Sequence, residues 1–492
     1  MSSKETFFEL TQRLSFRETM GMKHSTVEDI ITTDGRELQR RLFEEHVDLR
    51  GVGDVGAGIL GSDGVMRTHK RALERTLICV FGKITIKRLG YSARGENSLF
   101  PKDAILNLST DSYSHGIRKI VAQEAAKNPF DEVIKSVKQS TGVSLPKKAA
   151  EMLAQKAAMD FDAFYATQDV KRTVQDPREI PLLILTTDGK GIVMRKEDLR
   201  EATRKKAESA KHKLQKRQSK GEKANAKRMA TVASVYNIDR FIRTPEQIVG
   251  EMKSIDSSIS RPRPVDKRVW ASIEKSSEKV TSDIFDEALR RDPKKEKKWA
   301  FLVDGCQKQL KRIQSLAKKK ETSITIIMDI IHVIEYLWKA ARVFHGEANP
   351  KTEQWVVERL LLILQGKVSQ VAAGIRRSAT LQKISKEKRV PIEKCSGYLL
   401  KNKPYLQYHL YLKEGLPIAT GIIEGACRHL IKDRMDVTGA RWSLKGAEAI
   451  IKLRSLRSSK DFESYWQFHE EQEYIRNHQS LYENPSILDR LR

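Results

Sequence analysis

The stretch WAFLVDGCQKQLKRIQSLAKKKETSITIIMD, residues 299–329, decides the fold class. WAFLV (299–303) and SITIIM (323–328) are short apolar runs that read as strands, and Gln307–Lys318 between them has helical character. A second helix follows at Ile330–Phe344. Strands alternating with helices mark an α/β sheet. Both runs end on an aspartate: Asp304, followed by Gly305, and Asp329. Upstream, EIPLLILTT (179–187) is a continuous apolar run ending at Asp188-Gly189, the mark of a strand buried on both faces. MATVASVY (229–236) resumes strand character, and a further strand is read near Arg240–Thr244. Trp270, Ile273, Val280 and Ile284 fall at helical spacing within 265–290 and read as core.

In an open α/β sheet, functional groups collect at the carboxyl ends of the strands. One Asp-Gly is a common turn. Three aspartates after apolar strands, Asp188, Asp304 and Asp329, form a pattern. The chain has 492 residues, enough for two to four domains, with 91 Lys and Arg against 64 Asp and Glu. The net charge of +27 favours a polyanionic partner, most simply nucleic acid. Clustered carboxylates repel one another and would repel such a partner. A divalent cation removes both conflicts, because Mg²⁺ takes carboxylate oxygens together with substrate phosphates.

A membrane-surface protein is the rival for a basic chain. Aromatic residues are only 7 %, and the longest apolar runs, 180–186 and 360–365, are far too short to span a bilayer. Met1–Gly21 lacks the apolar stretch of a signal peptide. The four cysteines (79, 306, 395 and 427) have neither zinc-finger nor disulfide-framework spacing. A reduced cytoplasmic location is expected.

Residues 1–70 read as a polar, mixed segment, with Gly51–Gly64 as a loop. A β-hairpin turning at Gly82–Lys83 is expected within 71–114. The 115–170 region reads as helical: His115–Lys127, then Phe130–Thr141 opened by Asn128-Pro129 and stopped at Gly142, then a helix capped by Ser144. The last two have helix-turn-helix grammar, with Lys147 and Lys148 opening the second. An ordinary helical hairpin has the same spacing. Residues 195–228 hold 14 Lys and Arg against 5 Asp and Glu. Such a run is a solvated helix or an arm tracking a DNA backbone, for affinity rather than sequence choice. Residues 348–400 read as mostly helical, with Trp355, Leu360 and Leu361 in the core, and Thr420-Gly421 opens a helix containing Glu424.

GLPIATGIIEGACRHLIKDRMDVTGARWSLKGAEAIIKLR (415–454) resembles the C-terminal catalytic signature of DDE transposases of prokaryotic insertion sequences, in particular the ISKra-type elements. YLLKNKPYLQYHLYL (398–412), DIIHVIEYLW (329–338), TTDGKGIVM (186–194) and NSLFPKDAILNL (97–108) share that resemblance, which covers most of residues 70–470. It implies an RNase H-like, retroviral-integrase-like core over 175–344 and 416–492, interrupted by a helical insertion at 345–415, with DNA-end recognition in the N-terminal region. It implies Asp188 as the first metal ligand and Glu424 as the catalytic glutamate. Counting strands makes Asp304 the second aspartate, with Asp329 and His332 supporting or alternative. Two Mg²⁺ or Mn²⁺ ions, double-stranded DNA (terminal inverted repeats and target), a homodimer or larger synapse, and a nucleoid-associated location are implied with it. The implied reaction is hydrolysis at the element ends, then attack of the freed 3′ hydroxyl on target DNA. A DNA-binding protein that has lost the chemistry and a structure-directed nuclease are the alternatives.

Residue by residue, bland readings stand beside these. Glu424 could pair with Arg428 at i+4. His332 could hold Asp329 or Glu335. Arg434, Arg441 and Trp442 are either DNA contacts or a tryptophan anchor beside solvated arginines. Lys190 follows the first aspartate closely enough to reach a phosphate, or is an exposed turn lysine. Arg204, Lys205, Lys206, Lys216 and Arg217 in the basic stretch, with Arg428, complete the expected DNA contacts.

Overall fold

The computed structural model describes residues 2–167, 180–209, 226–252, 261–347, 349–437 and 439–491. The chain divides into two compact units, Met1–Thr167 with Lys460–Arg492, and Gln168–Ser459.

In the first unit, the segment read as mixed is helical over Ser3–Ser15, with a Ser2/Glu5 capping box, and over His24–Leu49. Only Val47 is buried in the longer helix, so it carries no apolar stripe by which periodicity could reveal it. The two-residue strands β1 (Ile59–Leu60) and β2 (Met66–Arg67) pair, and β3 (His69–Cys79) and β4 (Gly82–Ser92) form the hairpin. Its turn is Val80-Phe81, not Gly82–Lys83. Cys79 pairs with Gly82, whose positive φ of 132° opens β4 directly after the turn.

Helices follow at His115–Ala125, Phe130–Thr141, Lys147–Ala157 and Phe161–Thr167. Gly142 ends the second in the left-handed conformation, as expected. Pro129 and Pro146, rather than Asn128 and Ser144, occupy the N-cap positions, with no side-chain cap bond. The chain's last long helix, Phe462–Asn477, belongs to this unit instead of closing the α/β core. Polar bonds in its apolar packing hold it there: Arg118 Nη2 donates to Glu473 Oε1 at 2.8 Å, Tyr465 Oη to the Ala157 carbonyl at 2.7 Å, and Tyr165 Oη to Asp461 at 2.6 Å.

The second unit is a five-stranded mixed sheet flanked by helices. Its strands are β5 (Leu182–Val193), β6 (Lys227–Ile238), β7 (Val265–Ser272), β8 (Lys298–Val303) and β9 (Ile324–Met328), in the order β7-β6-β5-β8-β9. β5, β6 and β7 pair antiparallel, whereas β8 joins β5, and β9 joins β8, in parallel. Leu182–Leu185 are fully buried, as the apolar run predicts.

The third strand is Val265–Ser272, read from sequence as the start of a helix, while Arg240–Thr244 has no regular structure. Ser276 separates strand from helix by capping Ser277–Arg291, its side chain accepting from Lys279 N–H. The backbone N–H groups of Phe241 and Arg243 bond to the Gly415 and Leu412 carbonyls instead of a neighbouring strand. Helices Pro350–Leu364, Val368–Leu381 and Val390–Asn402 fill the expected insertion. Trp355 and Leu360 are buried there, and Leu361 is half-buried.

Burial alone would raise the Glu287 carboxyl, but Arg268 of β7, Arg291 and Arg290 hold it at about 2, against an ordinary 4.5. A lowered value stabilises the fold above the ordinary carboxylate range, and this is lost as pH falls from about 4.5 through about 2. Glu287→Gln is therefore expected to cost about 3 kcal/mol in neutral urea titrations. The difference from the parent chain should shrink on acidification. A gap that stays constant to acid pH would contradict the ion-pair account.

Candidate functional site

Asp188 lies inside β5, not after it. Antiparallel pairing with β6 continues to Val193 and sets Asp188 opposite Val232, whereas parallel pairing with β8 stops at Thr186–Leu302. Carried on by two residues, the parallel register sets Asp188 opposite Asp304, the first residue beyond β8. The β8–β9 register ends at Val303–Met328 and, one residue further, sets Asp304 opposite Asp329. Counted from the last parallel pairs, the three aspartates fall at corresponding positions just past the end of parallel pairing.

Their surroundings differ. Asp188 is half-buried and Asp304 exposed. One Asp304 oxygen, Oδ1, accepts from Cys306 N–H at 3.0 Å. Next to it Gly305 has φ 97°, and a Cβ there would come within 3.0 Å of Met328 Sδ and Tyr398 Cε2, so this turn requires glycine. Tyr398, stacked on Tyr336 at 4.2 Å, donates to the Asp304 carbonyl at 3.2 Å.

Asp329 is fully buried. Its Oδ1 accepts from Ile331 N–H at 3.0 Å, capping the helix Ile330–His345, and from Thr420 N–H at 3.3 Å. Its Oδ2 accepts from the Thr420 hydroxyl. Such a carboxylate holds the 415–421 segment against the end of β9. His332 lies 3.8 Å from Glu335, the second of its two expected partners, and makes no ion pair with Asp329.

Glu424 sits in the first turn of the helix Gly421–Ala426, exposed, its carboxylate without a hydrogen bond or ion pair among the described residues. Arg428, its possible i+4 partner, approaches Asp433 instead, at 3.5 Å. The Glu424 helix packs against β5 and β6. Three residues on, buried Cys427 donates its thiol to Asp188 Oδ2, with Sγ 3.2 Å away. Burial pushes this thiol well above its ordinary range; the Asp188 and Glu424 carboxylates add to the rise, and Lys190 opposes it. The thiol therefore stays protonated, as a donor must. From Cys427 to Lys432 the chain widens into a π-helix, a form enriched at functional sites.

Sequence reasoning gave Cys427 no role, though its spacing three residues after Glu424 was visible. Replacing it tests that contact: Cys427→Val is expected to cost the fold about 1 kcal/mol in urea titrations, with Cys427→Ser recovering most of it, because the Asp188 carboxylate loses and regains a donor. Equal urea midpoints of both variants and the parent would contradict the contact.

The expected DNA contacts divide by exposure. Lys147 and Lys148 are exposed at a helix start in the first unit, Lys147 being 2.8 Å from Asp131. In the second unit Arg204, Lys205, Lys206, Arg428 and Arg441 are exposed, and Lys190 is half-buried. Lys216 and Arg217 lie outside the described residues. Arg434 and Trp442 are buried, the guanidinium 4.9 Å from the indole centroid and the indole N–H donating to Met435 at 3.2 Å. Trp442 also bridges to the end of β5, its backbone N–H donating to the Val193 carbonyl at 3.1 Å. Those two side chains are packed as an anchor.

Among the described residues, no group of three His, Cys, Asp or Glu side chains encloses a point where a metal ion could sit. No helix of the described residues is long and apolar enough to cross a membrane. No protein-family model matches the chain, and no curated protein matches it. Among solved structures, the Drosophila P element transposase strand transfer complex is similar at 11 % identity, over 76 % of this chain and 83 % of that chain, with a TM-score of 0.24. A likeness of that degree carries no argument about this chain.

Proposed function

We propose that this chain is a DNA transposase of the DDE type, with an RNase H-like core that cuts DNA at its element's ends and joins the freed 3′ hydroxyl to target DNA. One observation carries the reading: Asp188 and Asp304 each follow by two residues the last parallel pair, Thr186–Leu302, while Cys427 ties the Glu424 helix to Asp188. The strand order supports it, with three antiparallel strands and two more joining the first in parallel, the order 3-2-1-4-5 of an RNase H-like core.

The donor set suits hard divalent cations. Its oxygens are carboxylate, Glu424 is unpartnered among the described residues, and Asp304 has engaged only one oxygen. Mg²⁺ or Mn²⁺ keeps waters and shares carboxylates with substrate phosphates, so an open row of carboxylates fits better than a closed cage. When bound, two such ions activate the attacking hydroxyl and stabilise the leaving oxygen of an in-line displacement. Asp188, Asp304 and Glu424 would hold them. The chain's own residues do the rest. Cys427 orients Asp188, and Asp329 fixes the segment leading into the Glu424 helix. Lys190, two residues from Asp188, and exposed Arg428 and Arg441 offer positive charge to phosphates.

Double-stranded DNA is the proposed partner, in an assembly of two or more chains, since two ends must be paired. Purified protein with element-end duplexes is expected to release cut ends and joined products in Mg²⁺ or Mn²⁺, and neither in EDTA. Cutting of branched DNA regardless of end sequence, without joining, would favour the structure-directed nuclease. Tight binding with no cutting in either metal would mean that the chemistry has been lost.

A further inference from the structure

In the second unit, a cavity of about 310 Å³ lies between the end of β6 and the 415–422 segment. Phe241, Pro262, Pro264 and Pro417 give it flat apolar walls, and Asp239, Arg243 and Arg261 also line it. Arg243 is placed over Phe241, its guanidinium 4.8 Å from the ring centroid, and its Nε is buried with no hydrogen-bond partner. Arg261 reaches Glu251 at 2.7 Å and is otherwise exposed. Asp239 is exposed and has no side-chain partner among the described residues. Gly421 and Ile422, the first residues of the Glu424 helix, form part of the same lining.

Flat apolar walls suit a planar ring, and a half-buried guanidinium whose buried Nε lacks an acceptor suits an anion. A carboxylate at the rim can accept from an exocyclic amino group. An apolar peptide side chain would satisfy the walls but leave the Arg243 Nε without its acceptor. From these features we infer that the cavity takes one nucleotide, its base against Phe241 and the prolines and its phosphate on Arg243 and Arg261. The inference rests on the proposed function only for the source: an unstacked nucleotide of bound DNA, or a free nucleotide. Because Gly421 and Ile422 line the cavity, its occupant would touch the start of the element that presents the glutamate.

The test uses the full chain and two duplexes of the same sequence, one fully paired and one with a single unpaired 2-aminopurine, plus free deoxynucleoside monophosphates. Arg243→Gln removes the anion partner, and Ala419→Phe, at an exposed lining position, fills the space. The chain is expected to bind the duplex with the unpaired base about tenfold more tightly, as one stacked base allows, with a change in 2-aminopurine fluorescence. Both variants should abolish that preference and keep paired-duplex binding. If the source is a free nucleotide, the monophosphate saturates the parent chain and neither variant, and the two duplexes bind alike. Equal duplex binding with no monophosphate binding overturns the inference, as does a preference that survives both variants. If no duplex binds at all, the DNA reading fails, and the monophosphate arm alone decides the cavity.

Discussion

Asp188→Ala and Glu424→Ala are each expected to lower strand cutting at least about a thousandfold, with binding of the same DNA changed by no more than about twofold. The separation follows from where the two side chains sit. Glu424 is exposed and unpartnered among the described residues, so its loss should cost the fold no more than about 0.5 kcal/mol. Asp188 would surrender only the Cys427 thiol and its bond from Gly189 N–H, at 2.6 Å. Affinity for DNA comes from many basic side chains. Removing one carboxylate beside a polyanion, if anything, strengthens that attraction. Gel-shift and cleavage assays on one preparation measure both quantities. A purified double variant that still cuts at the parent rate would remove the site.

Asp304 and Asp329 are expected to fail in opposite ways. Asp329→Ala strands two backbone N–H groups and the Thr420 hydroxyl in a buried setting, and strips a helix of its cap. The cost should be about 3–5 kcal/mol, visible as an earlier urea midpoint, and cutting should fall with the folded fraction. Asp304→Ala removes an exposed group with one backbone donor, so stability should hold within about 0.5 kcal/mol while cutting falls by at least about a hundredfold. The two readouts separate a ligand from a strut. If Asp304→Ala cuts normally and Asp329→Ala is stable but inactive, Asp329 is the second metal ligand.

Of the sheet, the strands with continuous apolar runs were legible: β5, β6, β8 and β9 bury most of their residues, and burial on both faces writes itself into composition. β7 was not. Asp266, Lys267 and Arg268 near its start are polar, and Trp270, Ile273, Val280 and Ile284 match a helical period only because a strand and a helix meet across Ser276. The long helix His24–Leu49 was invisible for the opposite reason, having almost nothing buried to set a period. At the site, an aspartate after an apolar run signalled a place on the strand edge. That signal cannot tell a free carboxylate from one enclosed by donors 91 residues away, as Thr420 encloses Asp329.

The amino-acid sequence alone determined the apolar runs of β5, β6, β8 and β9, which aspartates follow three of those runs, and that the chain carries a large positive charge, because each depends only on neighbours along the chain. Tertiary structure alone decided which aspartate is enclosed, that Arg428 turns to Asp433 rather than Glu424, and that a cysteine thiol donates to Asp188. Those outcomes depend on strand register and on the packing of distant segments, where a shift of one residue exchanges every partner.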